Sequence, residues 1–259
     1  MSEAQAILAH VEGGVLTLTF NRLDKKNAIT TAMYTSLANA LFEAAADAAV
    51  RVVVIQGHEQ IFTAGNDLAD FKNNPPSSEQ MESMPVFRFL EALSTFPKPV
   101  VAAVSGPAVG IGTTLLLHCD LVYAGDNAAF SLPFVNLGLC PEAGASLLLP
   151  AQVGYLRAAE KLMLGEAFYA EEAVDMGLVN RILPPHEVAG YAQAQASKLA
   201  AKPAESLRIT KALMKQASPS LPAVMKQEFG HFGELLRGPA AKEAISAVME
   251  KRRPDFSKL

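Results

Sequence analysis

The chain has 259 residues, of which 50% are hydrophobic and 19% charged, and its formal net charge is −4. This length and apolar content are enough for a sizeable buried core and exclude a disordered chain. Lysine and arginine form no block that marks a nucleic-acid surface, and two cysteines are too few for a disulfide framework. We therefore expect no nucleic-acid partner. Because no run of eighteen apolar residues occurs, we also expect no membrane span.

The first half of the chain alternates between strand and helix patterns. Apolar alternation on both sides of Gly13-Gly14 predicts a β-hairpin over residues 6–20. Helical spacing of apolar residues predicts a helix from Thr30 to Ala48 and another near 80–95. Short apolar runs predict buried strands at 51–57, 99–106 and 121–125. This alternation favours an α/β core with parallel strands.

The character of the sequence changes after about residue 185. Strand patterns end there, and helices are predicted over 186–201, 203–216, 219–236 and 239–250. We therefore divide the chain into an α/β core, 1–185, and a C-terminal helical region, 186–259. The apolar spacing along 203–236 is assigned to core and subunit contacts.

Two turns with glycines follow predicted strands, FTAGNDL at 62–68 and GPAVGIG at 106–112. Each places a backbone N–H at the start of a helix, and two such donors that converge on one oxygen form an oxyanion hole. Taken alone, the pattern favours ordinary strand-to-helix turns.

Other motifs fail. Gly110 and Gly112 do not complete the dinucleotide-binding motif G-x-G-x-x-G, because Leu115 occupies the position of its third glycine. His118, Cys119 and Asp120 are consecutive rather than spaced for one metal ion, so no metal site is predicted. We interpret His118 as a hydrogen-bonded polar residue near a helix end.

Several separated motifs, taken in order, resemble the crotonase (enoyl-CoA hydratase/isomerase) superfamily: NRLDKKNAI, FTAGNDL, PVVAAVSGPAVGIG, CDLVYAG and FVNLGL. The resemblance implies the crotonase (ClpP-like) fold, an α/β spiral of ββα units with C-terminal helices. It also implies a homotrimer, or a hexamer of paired trimers. The implied substrate is an acyl-CoA thioester, with no cofactor besides the coenzyme A of the substrate.

By position, the resemblance assigns the two thioester-binding N–H groups to Asn66 and Ile111. It implies further substrate contacts at Lys25, Ala28, Ala64, Asp67, Leu68, Phe134 and Leu139. Lys25 suits a CoA phosphate, and it equally suits a solvated surface position.

The carboxylates separate the branches of the family. Family hydratases use two glutamates around a water, but Thr114 and Phe134 occupy those positions here. Glu142 lies in PFVNLGLCPE, where the Δ3,Δ2-enoyl-CoA isomerases of the peroxisomal type carry a single catalytic glutamate. Dienoyl-CoA isomerases need a second carboxylate, where this chain has Asn136. The resemblance therefore implies a Δ3,Δ2-isomerase with Glu142 as its base, and the alternative is a hydratase or another crotonase-family enzyme.

Glu142 lies in apolar surroundings, and burial by Phe134, Leu139 and Leu147 predicts a raised pKa. The alternative interpretation is that Glu142 caps a helix that begins near Gly144.

The termini bear on localisation. The N-terminus lacks a secretory signal, and we expect a bacterial cytoplasmic protein. The C-terminal Ser257-Lys258-Leu259 is a peroxisomal address in eukaryotes, so the peroxisomal matrix is the alternative for a eukaryotic source.

Overall fold

The computed structural model describes residues 6–73, 84–215 and 220–256. The Asn, Pro and Ser residues of 71–80 predict a surface loop, and most of it lies outside these ranges. So do the starts of the helices predicted near 80–95 and at 219, and the C-terminal Ser-Lys-Leu.

The strands confirm the predicted α/β alternation and add short strands that the sequence patterns did not indicate. Within the described ranges they are β1 (Ile7–Glu12), β2 (Val15–Phe20), β3 (Val52–Gln56), β4 (Val100–Val104), β5 (Pro107–Val109), β6 (Leu121–Gly125), β7 (Ala129–Ser131), β8 (Phe168–Tyr169) and β9 (Arg181–Leu183).

The described helices of the first part are α1 (Thr31–Ala46), α2 (Leu68–Asn73), α3 (Pro85–Ser94), α4 (Ile111–Thr114), α5 (Ala145–Val153), α6 (Tyr155–Ala159) and α7 (Ala170–Asp175). Those of the C-terminal region are α8 (Pro185–Ala200), α9 (Ala204–Lys215), α10 (Leu221–Arg237) and α11 (Pro239–Met249), which confirms the predicted helices there. None of these helices combines the length and apolarity needed to cross a membrane.

The main sheet has the strand order β1-β2-β3-β4-β6-β9. Only β1 and β2 pair antiparallel, as the predicted hairpin requires, and the other neighbours are parallel. All five residues of β4 are buried, as in a strand covered on both faces. On one face α8 packs Val188, Ala192 and Ala196 against β3, β4 and β6. The boundary at 185 stays a prediction.

A small sheet of order β5-β7-β8 stands apart from the main sheet. Residues 107–109 of the turn GPAVGIG form its strand β5. The helix α4 then begins at Ile111, and a 3₁₀ turn, Leu115–His118, follows it directly. This sheet fixes where the second glycine turn lies.

Candidate active site

The two glycine turns lie against each other. Thr63 bridges to the strand β5: its N–H donates to the carbonyl of Pro107 at 3.0 Å, and its carbonyl accepts from Val109 N–H at 3.0 Å. Gly65 has a φ of +85°, and a Cβ added there would lie 2.7 Å from the carbonyl oxygen of Val109. Glycine is therefore required for this close approach.

The two predicted thioester-binding N–H groups belong to Asn66 in the first turn and Ile111 in the second. Among the described residues, neither the N–H of Asn66 nor that of Ile111 donates a hydrogen bond. Ile111 is the first residue of α4, and N–H groups in a first helical turn have no intrahelical acceptor. Asn66 and Ile111 line the same cavity. Two free N–H groups beside one cavity are compatible with an oxyanion hole, and the catalytic role of the two amides stays a prediction.

The cavity has a volume of about 830 Å³. Its lining includes every predicted site residue except Glu142, namely Lys25, Ala28, Ala64, Asn66, Asp67, Leu68, Ile111, Phe134 and Leu139. The structure thus brings together residues that are far apart in the sequence, and Glu142 lies outside this lining.

One wall of the cavity comes from the C-terminal region. Helices α10 and α11 and the chain after them contribute Phe232, Leu236, Ala244, Ile245, Val248, Met249, Pro254 and Phe256. The apolar spacing of 203–236 predicts core and subunit contacts; Phe232 and Leu236 belong to the core, and they also line the cavity. The spacing of four residues between them is common to a core face and a ligand-binding face.

Glu142 is buried, with 6% of its surface exposed. The hydroxyl of Thr114 donates a hydrogen bond to its Oε1 at 2.5 Å. Burial raises the pKa of Glu142 to about 8, the hydrogen bond from Thr114 opposes this rise, and the nearby Glu228 adds to it. The prediction of a raised pKa is confirmed, and a carboxyl with such a pKa can accept and return a proton near neutral pH.

The backbone after Glu142 is held in an unusual conformation. Ala143 has a φ of +59°, which is uncommon for a residue with a Cβ, and Gly144 follows with +73°. Nε2 of His118 lies 2.7 Å from the carbonyl oxygen of Ala143. Since burial lowers the pKa of His118 to about 4, the ring is neutral and donates this hydrogen bond. His118 is a hydrogen-bonded residue, as predicted.

The alternative interpretation of Glu142 as a helix cap is wrong. Helix α5 begins at Ala145, and the acidic side chain at its start is Glu228 of α10. Glu228 accepts from the N–H of Gly144 at 2.6 Å and from the N–H of Ser146 at 2.9 Å. Glu142 contributes only its backbone carbonyl there, which accepts from Ala145 N–H at 3.0 Å.

Tyr34 connects the first glycine turn to helix α1. Its buried hydroxyl forms a short hydrogen bond with Oδ1 of Asn66. Burial raises the pKa of Tyr34 well above its ordinary value, and the negative charge of Glu142 adds to this effect. Sequence reasoning missed Tyr34, because an aromatic residue on the apolar face of a helix is indistinguishable from core.

Two charged residues that line the cavity, Asp67 and Lys25, differ in their contacts. Nη1 of Arg22 lies 2.7 Å from Oδ2 of Asp67 and 3.0 Å from the carbonyl of Ala28. Burial alone would raise the pKa of Asp67, but the hydrogen bonds and charge of Arg22 hold it below the ordinary value. Asp67 is thus an ion-paired acid that shapes the loop, whereas Lys25 is exposed beside the cavity. No cluster that would hold a metal ion occurs among the described residues.

Known proteins match this chain over nearly its whole length. The family model for enoyl-CoA hydratase/isomerase matches residues 10–258. Enoyl-CoA delta isomerase 2 of Rattus norvegicus is 39% identical over 252 residues, which cover 95% of this chain and 63% of the rat protein. The 2,3-dehydroadipyl-CoA hydratase of Escherichia coli is 37% identical and covers 93% of this chain and 94% of that enzyme. The structure of OdaA from Pseudomonas aeruginosa superimposes with a TM-score of 0.92 at 50% identity, covering 95% of this chain and 99% of OdaA.

The fold is therefore the crotonase fold, as the sequence predicted. The chain belongs to the enoyl-CoA hydratase/isomerase family. It spans 63% of the length of the rat isomerase. Because an isomerase and a hydratase match at similar identity, similarity alone does not separate the two activities.

Proposed function

We propose that the protein moves a double bond from Δ3 to Δ2 in an enoyl-CoA thioester, with Glu142 as the single base. The observation that carries this proposal is one buried carboxyl, with a pKa raised by burial to about 8, that is hydrogen-bonded to Thr114 in the helix that begins at Ile111. Coenzyme A is part of the substrate thioester, and the proposed reaction uses no separate cofactor.

The proposed reaction has two proton transfers. The N–H groups of Asn66 and Ile111 bind the thioester oxygen and stabilise the negative charge that develops there. Ionised Glu142 takes a proton from C2 of the 3-enoyl-CoA, which leaves a dienolate. The protonated carboxyl then delivers the same proton to C4, and the new double bond lies between C2 and C3. One carboxylate suffices, because C2 and C4 are both adjacent to C3.

The contacts of Thr114 and Phe134 argue against a second base. The hydroxyl of Thr114 is already bonded to Glu142, and Phe134 is buried with its ring 6.5 Å from that of Phe232. Neither side chain accepts a proton from water as a second glutamate would. An apolar cavity wall suits a reaction that consumes no water.

The proposed mechanism requires the carboxyl of Glu142 to move toward the substrate. In the structure its Oε1 faces Thr114, which lies three residues after Ile111 in the same short helix. Proton transfer requires an approach to about 3 Å, and catalytic hydrogen bonds commonly tighten only when substrate binds. In the proposed reaction, the carboxylate turns from Thr114 toward the acyl chain when the thioester binds.

Hydration is the second candidate, and the similarity to the Escherichia coli hydratase favours it. The experiment is to incubate the protein with 3-hexenoyl-CoA and, separately, with crotonyl-CoA. We expect isomerisation of the first and little hydration of the second. Hydration of crotonyl-CoA without isomerisation of 3-hexenoyl-CoA would overturn the proposal. Binding of both without reaction would indicate a thioester-binding protein with no catalytic function.

The proposal includes a homotrimer or a hexamer of paired trimers. It is supported by large apolar side chains that are exposed in the single chain around α6 and β8, namely Tyr155, Leu156, Met163, Leu164 and Tyr169. Light scattering is expected to give about three or six times the chain mass of 27.5 kDa. A monomer at micromolar concentration would contradict this part of the proposal.

A further inference from the structure

Glu228 is a buried acid that none of the sequence motifs includes. It lies on α10, 84 residues beyond Gly144. Its two oxygens accept hydrogen bonds from the N–H of Gly144, the N–H of Ser146 and the hydroxyl of Ser146. Glu228 is only 7% exposed, and these hydrogen bonds satisfy both of its buried oxygens.

The residues that Glu228 contacts, Gly144 and Ser146, follow Glu142 closely in the chain. Glu228 fixes the backbone from two residues after Glu142, at the start of α5, where N–H groups otherwise lack acceptors. His118 fixes the carbonyl of Ala143, and Thr114 fixes the Glu142 carboxyl. Two side chains from residues 114–118 and one from α10 thus hold residues 142–146, and Glu228 is the acid among the three.

Within the described ranges, four side chains near Glu142 bear on its electrostatics. Glu228 on α10 makes the carboxyl of Glu142 harder to ionise, and Thr114 makes it easier. Tyr34 on α1 and Cys140 interact with the charge of Glu142, and burial raises the pKa of both. The pKa of His118 is lowered by burial, so that residue adds no charge at neutral pH.

Glu228 also shares a helix face with the cavity wall. Phe232 and Leu236 follow it at intervals of four residues, so all three lie on one side of α10. Phe232 and Leu236 line the cavity, whereas Glu228 holds the segment of Glu142. One rigid helix therefore connects the wall that faces the acyl chain to the backbone of the base.

We propose that Glu228 is the positioning residue for Glu142: its carboxylate holds the backbone of residues 144–146 and thereby fixes the place of the base. This rests on the proposed function for its kinetic consequence, but the effect of Glu228 on the ionisation of Glu142 does not depend on which reaction the enzyme catalyses.

The test is the pH profile of kcat/KM in Glu228→Gln. Glutamine keeps the shape but loses the charge, and its NH₂ group faces N–H donors. We expect the midpoint to move to lower pH by about 0.5–1 unit and kcat to fall roughly tenfold, with KM changed less than about twofold. Thr114→Val is expected to move the midpoint the opposite way, because it removes a donor that stabilises the ionised form.

The matched control is Glu234→Gln, on the same helix but exposed and paired with His231. It is expected to leave kcat and the midpoint unchanged. If Glu228→Gln behaves like this control, the proposal is overturned. Should Glu228→Gln not fold, Glu228→Asp retains the charge but shortens the reach. It is expected to lower kcat with little change of midpoint, and unaltered kcat would also overturn the proposal.

A titration separates this proposal from the proposed function. The carboxyl carbon of Glu142 can be followed by ¹³C NMR and assigned by its loss in Glu142→Gln. A lower titration midpoint in Glu228→Gln supports the positioning role even if 3-hexenoyl-CoA is not isomerised. An unchanged midpoint contradicts it even if the isomerase activity is confirmed.

Discussion

The hydroxyl of Thr114 donates a 2.5 Å hydrogen bond to Oε1 of Glu142, across 28 residues of sequence. Thr114 ends the short helix that Ile111 begins. The candidate base and one of the two candidate oxyanion donors are therefore attached to the same turn of helix. Position 114 thus has a threonine that donates a hydrogen bond to Glu142, where family hydratases have a glutamate that acts as a second base.

The first prediction concerns pH. Because burial raises the pKa of Glu142 to about 8, most molecules carry a protonated Glu142 at pH 7. The base must be ionised to take a proton, so kcat/KM for 3-hexenoyl-CoA is expected to rise with pH and level off above about 8. The measurement is the pH profile between 5 and 10. A plateau already reached near pH 5 would show that the base has an ordinary carboxyl pKa.

The second prediction concerns Gly65. A Cβ added at Gly65 would lie 2.7 Å from the carbonyl oxygen of Val109. The φ of Gly65, +85°, is also strained for alanine. Gly65→Ala is expected to separate the two turns and lower kcat/KM about 100-fold, because an oxyanion donor is displaced.

The control for Gly65 is Gly190→Ala, in the helix α8, where an added Cβ meets nothing within 4 Å. This variant is expected to retain activity and gain about 0.5–1 kcal/mol of unfolding free energy. Equal activity of the two variants would contradict the assignment of the turns as the thioester site.

The third prediction concerns stability. The pKa of Glu142 is about 8 in the folded protein, against 4.5 ordinarily. Between these values the folded state keeps a proton that the unfolded state loses, so stability falls as pH rises through this window. Glu142→Gln removes this loss, and we expect it to be more stable than the wild type by roughly 3 kcal/mol at pH 7 and by much less at pH 5. Urea unfolding at both pH values measures this, and a pH-independent difference would contradict it.

Local patterns predicted much of the fold. The hairpin around Gly13-Gly14, the strand β6 and the helix α1 follow from apolar periodicity, which depends on neighbours in the sequence. The short strands β5, β7 and β8 were missed, because strands of two or three residues carry too little periodicity.

The site was predictable only where a motif or a lone charge marks it. The glycine turns and Glu142 have such signals, and the structure places both turns beside one cavity. Glu228 was not predictable, since its partners Gly144 and Ser146 lie more than eighty residues away along the chain. Phe232 escaped for a different reason: the spacing of an apolar helix face is the same whether it packs on core or on a ligand.

The central claim, that Glu142 is the proton-carrying base, is tested most directly by the turnover of 3-hexenoyl-CoA in Glu142→Gln. Glutamine keeps the shape and can still accept from Thr114, but it does not take a proton from carbon. Exposed Glu171 supplies the matched control, Glu171→Gln. We expect Glu142→Gln to lose activity about 10³-fold while still binding the thioester, and Glu171→Gln to remain active. Retention of most of the turnover by Glu142→Gln would contradict the claim.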